Sequence, residues 1–309
     1  MYGVVTRNAG EVDWSTFERG FYEVKDVTGR PAEPLPNAVN MVSCFGDNRA
    51  AADDPDLVPV NDVGEPANRD RDYFDWAYVC PTHEAYREGL LEIVEDCAEQ
   101  NEDVRLDDVG FPREGYCRCD RCERLFAESD DEDWYDWRAS VISEFVAEAA
   151  SRIPGRTYLT LYPDPYPGHL YRRAGLDVDA LAEHVDEFVV PLYDTAYETT
   201  YWLETAARGF QSLLGWKPEG PGADGVAGVL PSGESVRDDG TPFSVELYAV
   251  EVDIDALVHA TEVAEAYANG VFFGYDASNA AAAVRRKDAD RREGVSHGEP
   301  GGGGGGDGE

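Results

Sequence analysis

WYDWRASVISEFVAEAASRIPGRTYLTLY, residues 134–162, holds the two periodicities that decide the fold. Its first part places Trp137, Val141, Ile142, Phe145, Val146 and Ala149 three and four residues apart, the stripe of a helix that buries one face. Its end, Thr157–Tyr162, is short and rich in β-branched and aromatic residues, which reads as a buried strand. Outward from this unit the alternation recurs. A helix over His83–Gln100, striped by Tyr86, Leu90, Leu91, Val94 and Cys97, precedes a strand at Asp103–Val109. Helices at Asp179–Val185, Thr199–Leu214 and Ile254–Ala268 precede strands at Glu187–Tyr193, Phe243–Tyr248 and Gly270–Tyr275. Two further strands are expected at Tyr2–Thr6 and Ala38–Phe45.

Strands that alternate with helices build parallel βαβ units. A chain of 309 residues accommodates one α/β barrel of about 250 residues. The reading yields seven strands where a closed barrel has eight, and the region before Ala38 is too short for two full strand–helix units. The expected fold is therefore a (β/α)8 TIM-barrel-like domain over residues 1–284, incomplete on its N-terminal side, either degenerate there or continuing upstream. An open doubly wound sheet competes less well, because no glycine-rich phosphate turn follows an early strand. Gly46–Tyr78 and Trp216–Thr241 are long aperiodic segments of the kind that serve function or lack order. Residues 285–309, charged and then glycine over Gly301–Gly306, read as a disordered tail.

The chain carries 63 acidic and 26 basic side chains, for a formal charge of -37, and lysine occurs only at Lys25, Lys217 and Lys287. The acids are spread along the whole chain. That pattern fits a surface held soluble in molar salt, where counterions screen the self-repulsion, as in halophilic archaea. No basic stripe exists to neutralise phosphates, which argues against nucleic-acid binding. No apolar run is long enough to span a membrane and no export signal opens the sequence, so a cytoplasmic location is expected. Self-association into a homo-oligomer stays open.

Of six cysteines, Cys117, Cys119 and Cys122 form Cys-x-Cys-x-x-Cys in a polar loop, and Cys80 sits in Val79-Cys80-Pro81 before the helix that follows the third barrel strand. Neighbouring strands would bring the two loops together. Four thiolates suit a closed, structural Zn²⁺ site with no open position for water. Four cysteines also suit an iron–sulfur cluster, although no ferredoxin spacing is present. Cys44, in a strand, and Cys97, on an apolar helix face, read as core thiols.

This arrangement, a cysteine, a long gap and Cys-x-Cys-x-x-Cys after strand four, resembles the zinc cluster of family 42 glycoside hydrolases, the β-galactosidase-like barrels. Cys80-Pro81-Thr82-His83-Glu84-Ala85-Tyr86-Arg87 and Glu123-Arg124-Leu125-Phe126 are similar to the segments flanking that cluster, and the likeness spans Ala38 to Phe126. The chain also looks like barrel families described only as hypothetical glycosidases with a Leu-Asp-Asp strand end. The resemblance implies a carbohydrate or glycoconjugate substrate and an acid/base residue at the end of strand four. There the family's Asn-Glu is replaced by Asp107-Asp108. It implies a nucleophile ending strand seven, where Glu246 stands.

The residues themselves carry the same reading. The expected strand ends are Leu106-Asp107-Asp108, Tyr162-Pro163-Asp164, Tyr193-Asp194, Val245-Glu246-Leu247-Tyr248 and Tyr275-Asp276. Chemistry in parallel barrels sits at those ends. Glycoside hydrolysis needs two carboxyl groups across the scissile bond, and tyrosine offers a ring to a sugar face and a hydroxyl to its oxygens. On the resemblance, Asp108 is expected to act as acid/base, Glu246 as nucleophile or base and Asp107 as an orienting group. Tyr162, Asp164, Tyr193, Asp194, Tyr248, Tyr275 and Asp276 are assigned to substrate binding. The bland reading is a chain so acidic that every strand end carries a carboxylate by composition, in a sugar-binding or structural barrel without catalysis. The histidines form no metal-ligand spacing, and neither a nucleophile elbow nor a phosphate-binding glycine loop is present.

Overall fold

Eight short strands, each paired in parallel with the next and the last with the first, close into a barrel. They are β1 (Tyr2–Thr6), β2 (Arg19–Lys25), β3 (Val39–Ser43), β4 (Val104–Asp107), β5 (Thr157–Thr160), β6 (Glu187–Pro191), β7 (Phe243–Tyr248) and β8 (Val271–Gly274). The structure, a computed structural model, describes residues 1–217 and 240–293. Most of the long segment expected over Trp216–Thr241 lies outside the described residues, as does the glycine tract. Helices α1 (Asn48–Asp53), α2 (Glu84–Gln100), α3 (Asp120–Glu128), α4 (Trp134–Ser151), α5 (His169–Ala174), α6 (Val178–Ala182), α7 (Tyr201–Leu214), α8 (Ile254–Glu265) and α9 (Ala277–Glu293) complete the described elements.

The barrel is closed among these residues, and the expectation of an incomplete barrel is corrected by β2. Arg19–Lys25 pairs with Val39–Val42 on one side and with β1 on the other. The reading missed it by requiring a helix on each side. The β1–β2 link holds only a 3-10 turn at Ala9–Glu11, and the β2–β3 link holds no helix at all. Without those helices, Val12, Phe17, Trp14, Ala32 and Leu35 from the two links pack against the outer barrel wall.

Period-two alternation sorts the strand residues between two cores. Along β7, Val245 and Leu247 join the large apolar cluster beneath the helices, while Ser244 and Glu246 turn into the barrel. The interior cluster comprises Val5, Phe21, Val39, Met41, Tyr158, Val189 and Phe272. Phe21 stacks on Phe272 at 4.3 Å between ring centres, and a Cβ on Gly3 would lie 2.3 Å from the Phe272 ring, which fixes glycine there.

The tail boundary placed at residue 285 falls inside α9, which runs to Glu293. Ala280, Ala281, Ala283 and Val284 bury its inner face, and Lys287, itself buried, pairs with Glu265, which also accepts from Tyr2 Oη. A charged sequence thus stays helical because its lysine is matched across the α8–α9 interface.

Candidate active site and metal centre

Parallel strands place all eight carboxyl-terminal ends on one rim. Four non-glycine residues among those described have left-handed backbone: Asp108 (φ 50°), Tyr197 (φ 47°), Glu251 (φ 57°) and Tyr275 (φ 73°). All four lie in segments that follow a strand's carboxyl-terminal end, Asp108 and Tyr275 directly after it. Such conformations cost about 1–3 kcal/mol each and gather where side chains must be aimed.

Asp107 ends β4 and Asp108 follows it. The backbone N–H of Asp108 donates to Asp107 Oδ1 at 3.0 Å. Burial of its carboxyl, with the Asp107 charge next, pushes Asp108 up to about 8. Its Oδ2 lies 2.6 Å from Ser43 Oγ, which is also 3.0 Å from the Gly46 carbonyl. A serine hydroxyl has one hydrogen. A protonated Asp108 that donates to Ser43, while Ser43 donates to Gly46, satisfies all three groups. Lys25, buried at the end of β2, donates to the Ser43 and Gly46 carbonyls at 2.8 and 3.1 Å and pairs with Asp47 at 3.1 Å.

Glu246 is fully buried inside the barrel. Arg105 of β4 meets it at 2.7 Å, and Tyr193 Oη donates to its other oxygen. Arg105 is itself buried, lies 4.9 Å over the Phe21 ring and donates to Thr160 Oγ1 at 3.0 Å. Burial opposes its charge, but Glu246 and then Asp107 outweigh that and raise its pKa. Gly274 makes room: a Cβ there would lie 3.2 Å from Glu246 Oε1. Tyr193 is 44% exposed, so it links buried Glu246 to the surface.

Among the remaining assigned residues, Tyr275 donates to Glu23 at 3.1 Å and is raised by burial and then by Glu246 and Glu23. The Tyr248 ring lies tilted against that of Tyr193, with centres 5.7 Å apart. Burial, and then Asp108, push Tyr162 up to about 12, and Arg173 lies 4.9 Å over its ring. These tyrosines share the rim of the two carboxylates. The three outer acids are occupied locally. Asp164 accepts from Tyr166 N and faces His169 at 3.1 Å, Asp194 accepts from Ala196 N, and Asp276 accepts from Asn279 N in the first turn of α9.

Sequence reasoning missed Glu23 and Arg7. Glu23, inward on β2, is buried, raised by that burial, and accepts from Arg7 Nε. Arg7, half-exposed, borders a cleft of ≈ 570 Å³ with Thr6, Asn8, Glu11, Tyr248 and Tyr275. Period-two alternation in RGFYEVK, Phe21 and Glu23 on one face against Tyr22 and Val24 on the other, was the available signal.

Beside this rim, Cys80, Cys117, Cys119 and Cys122 converge, with all four sulfurs within 4.8 Å of one another and three of the residues buried. Cys80 and Cys122 sulfurs are 3.4 Å apart. Hydrogen bonding from Cys117 holds the Cys119 and Cys80 thiols below the usual thiol range. The group ties three segments together, since Cys80 N donates to Leu57 O at 2.7 Å and Arg118 N to Val60 O at 2.6 Å. This cluster could hold a metal ion. Cys44 and Cys97 are both buried in the core, away from it.

Comparison with solved structures returns barrels of this kind. The PgaB (BpsB) glycoside hydrolase domain from Bordetella bronchiseptica superposes with a TM-score of 0.54 at 12% identity, covering 84% of this chain and 74% of that one. Alpha-L-fucosidase isoenzyme 2 from Paenibacillus thiaminolyticus superposes with a TM-score of 0.58 at 12% identity over 94% of this chain. The chain spans about half of the fucosidase's length, 49%. At such identity the likeness is one of fold, and it defines the fold class, a closed (β/α)8 barrel. No protein-family model matches the sequence, and no curated protein does.

Proposed function

We propose that this protein hydrolyses a glycosidic bond in a carbohydrate or glycoconjugate at the carboxyl-terminal rim of its barrel. The observation that carries the reading is Asp108. Burial and then the Asp107 charge push its carboxyl up to about 8, while Glu246, buried in the same barrel, faces Arg105. A carboxyl raised by burial and a second one that faces a cation divide naturally into an acid and a partner. Asp108 donates its proton to the leaving oxygen as the C–O bond breaks. Glu246, its charge balanced by Arg105, attacks the anomeric carbon or takes a proton from the attacking water; the carboxyl separation decides which. Asp107 orients Asp108 through its backbone N–H. Tyr162, Tyr193, Tyr248 and Tyr275 meet the sugar, with Asp164, Asp194 and Asp276 on the outer rim.

The four cysteines hold Zn²⁺ in this reading. Tetrahedral Zn–S bonds of about 2.3 Å set sulfurs about 3.8 Å apart, close to the Cys80–Cys122 spacing of 3.4 Å. Four thiolates leave no place for water, so the ion supplies rigidity and no chemistry.

A panel of chromogenic glycosides in molar salt tests the activity. At least one should be cleaved, and Asp108→Ala should lose turnover while retaining its fold and metal. Normal turnover in that variant would remove Asp108 from the mechanism.

A further inference from the structure

Among the described residues, the large exposed aromatic side chains are Tyr73 (49% exposed), Tyr166 (64%), Tyr193 (44%) and Tyr201 (78%). All four sit on the rim that carries Asp108. Tyr73 belongs to the loop after β3, Tyr166 to the loop after β5, and Tyr193 and Tyr201 to the segment after β6. Because the barrel runs β3-β4-β5-β6 in order, these tyrosines stand on both sides of the β4 end.

Contacts hold the Tyr73 and Tyr166 rings in place. Tyr73 packs edge-on to Phe74 at 4.7 Å, its hydroxyl lies 3.4 Å from that of Tyr116, and Arg113 covers the ring at 4.7 Å. Tyr116 directly precedes Cys117, so the cysteine cluster braces this wall. Phe74 continues inward to Tyr78 at 5.4 Å. On the far side Tyr166 packs on His169 at 5.3 Å, which is tethered to Asp164.

Four exposed tyrosines gathered on the rim where a barrel carries its chemistry offer ring faces to a ligand. A protein partner would find no free strand edge in the barrel among the described residues, since the barrel is closed. Separate rings, interleaved with carboxylates that can accept from hydroxyls, instead match a chain of sugar rings, each with one C–H face and an equatorial fringe of O–H groups. We infer that the rim tyrosines form an extended track, with Tyr73 on one side of Asp108 and Tyr166 and Tyr201 on the other, that binds a neutral glycan chain of several units. The inference rests on the glycosidase reading for its substrate class, and it makes that substrate an oligosaccharide or polysaccharide gripped on both sides of the cut.

Binding by calorimetry in molar salt tests the track independently of turnover. The probes are maltohexaose, cellohexaose, chitohexaose and laminarihexaose, each beside its own disaccharide. The proteins are the full chain, Asp108→Asn and the double variant Tyr73→Ala/Tyr166→Ala. At least one hexaose should bind about tenfold or more tighter than its disaccharide. The double variant should lose about tenfold for the hexaose, as expected for two lost ring contacts, with an unchanged melting temperature. Asp108→Asn should keep the length dependence. Equal affinity for hexaose and disaccharide in all four series, no binding of any hexaose, or a double variant that binds like the parent would each overturn the track. Failure of the hydrolase reading shows separately, as chromogenic turnover unaffected by Asp108→Ala.

Discussion

Asp108 combines a left-handed backbone, a proton-sharing serine and a carboxyl pushed up to about 8 by burial and by Asp107. Two pH effects follow. Activity that needs its proton should decline as pH rises through about 8, and Asp108→Asn should remove turnover together with that limb of the profile. Stability should also respond. The folded chain keeps a proton that the unfolded chain releases near pH 4. The group's contribution is therefore most favourable below that value and falls as pH rises through about 8. Urea titrations of the parent and of Asp108→Asn should show a shallower decline in the variant across this window; parallel curves would mean that the carboxyl is not protonated in the fold. Glu246 and Arg105 make a different case, a buried ion pair whose Glu246 also accepts from Tyr193. Glu246→Gln should cost about 3–5 kcal/mol by leaving a buried guanidinium unbalanced. Adding Arg105→Met should recover part of that loss in denaturant unfolding. Loss of turnover in the double variant despite recovered stability would assign Glu246 a chemical role beyond its structural one.

Among the elements, the clip formed by Cys80 and the Cys117–Cys122 turn joins the loops after β3 and β4. Metal analysis of chelator-free protein should find about one zinc per chain, as a closed four-thiolate site requires. Cys119→Ser should lower both metal content and melting temperature. Full metal retention in that variant would refute the ligand set. The clip was readable in the sequence because sulfur spacing is a local property, and so were seven strands, because their alternation with striped helices is local too. β2 was not. Its neighbours lack the helices that punctuate the other strands, and Glu23 and Arg7 were lost with it. The outer acids Asp164, Asp194 and Asp276 illustrate a different limit. An acid at a strand end in a chain with 63 of them is as readily a turn or helix cap as a ligand, and only the hydrogen-bond partners distinguish the two.

Across the whole molecule, a formal charge of -37 is the dominant condition on stability. Screening lengths fall from about 10 Å at 0.1 M salt to about 3 Å at 1 M, so mutual repulsion among surface carboxylates should weaken steeply over that range. The melting temperature should rise as potassium chloride is raised across it, and a flat response would show that the acidic surface is not tuned to salt. The seam of the barrel has a consequence of its own. Val271 N donates to the carbonyl of Met1, and β1 lies in register with β8 from Tyr2 to Val5. β1 therefore waits for β8, the last strand of the barrel, before its outer backbone groups find partners. A nascent chain halted before residue 271 exposes two raw sheet margins at once, so ribosome-bound intermediates of this length should be the species that chaperones hold and proteases cut first.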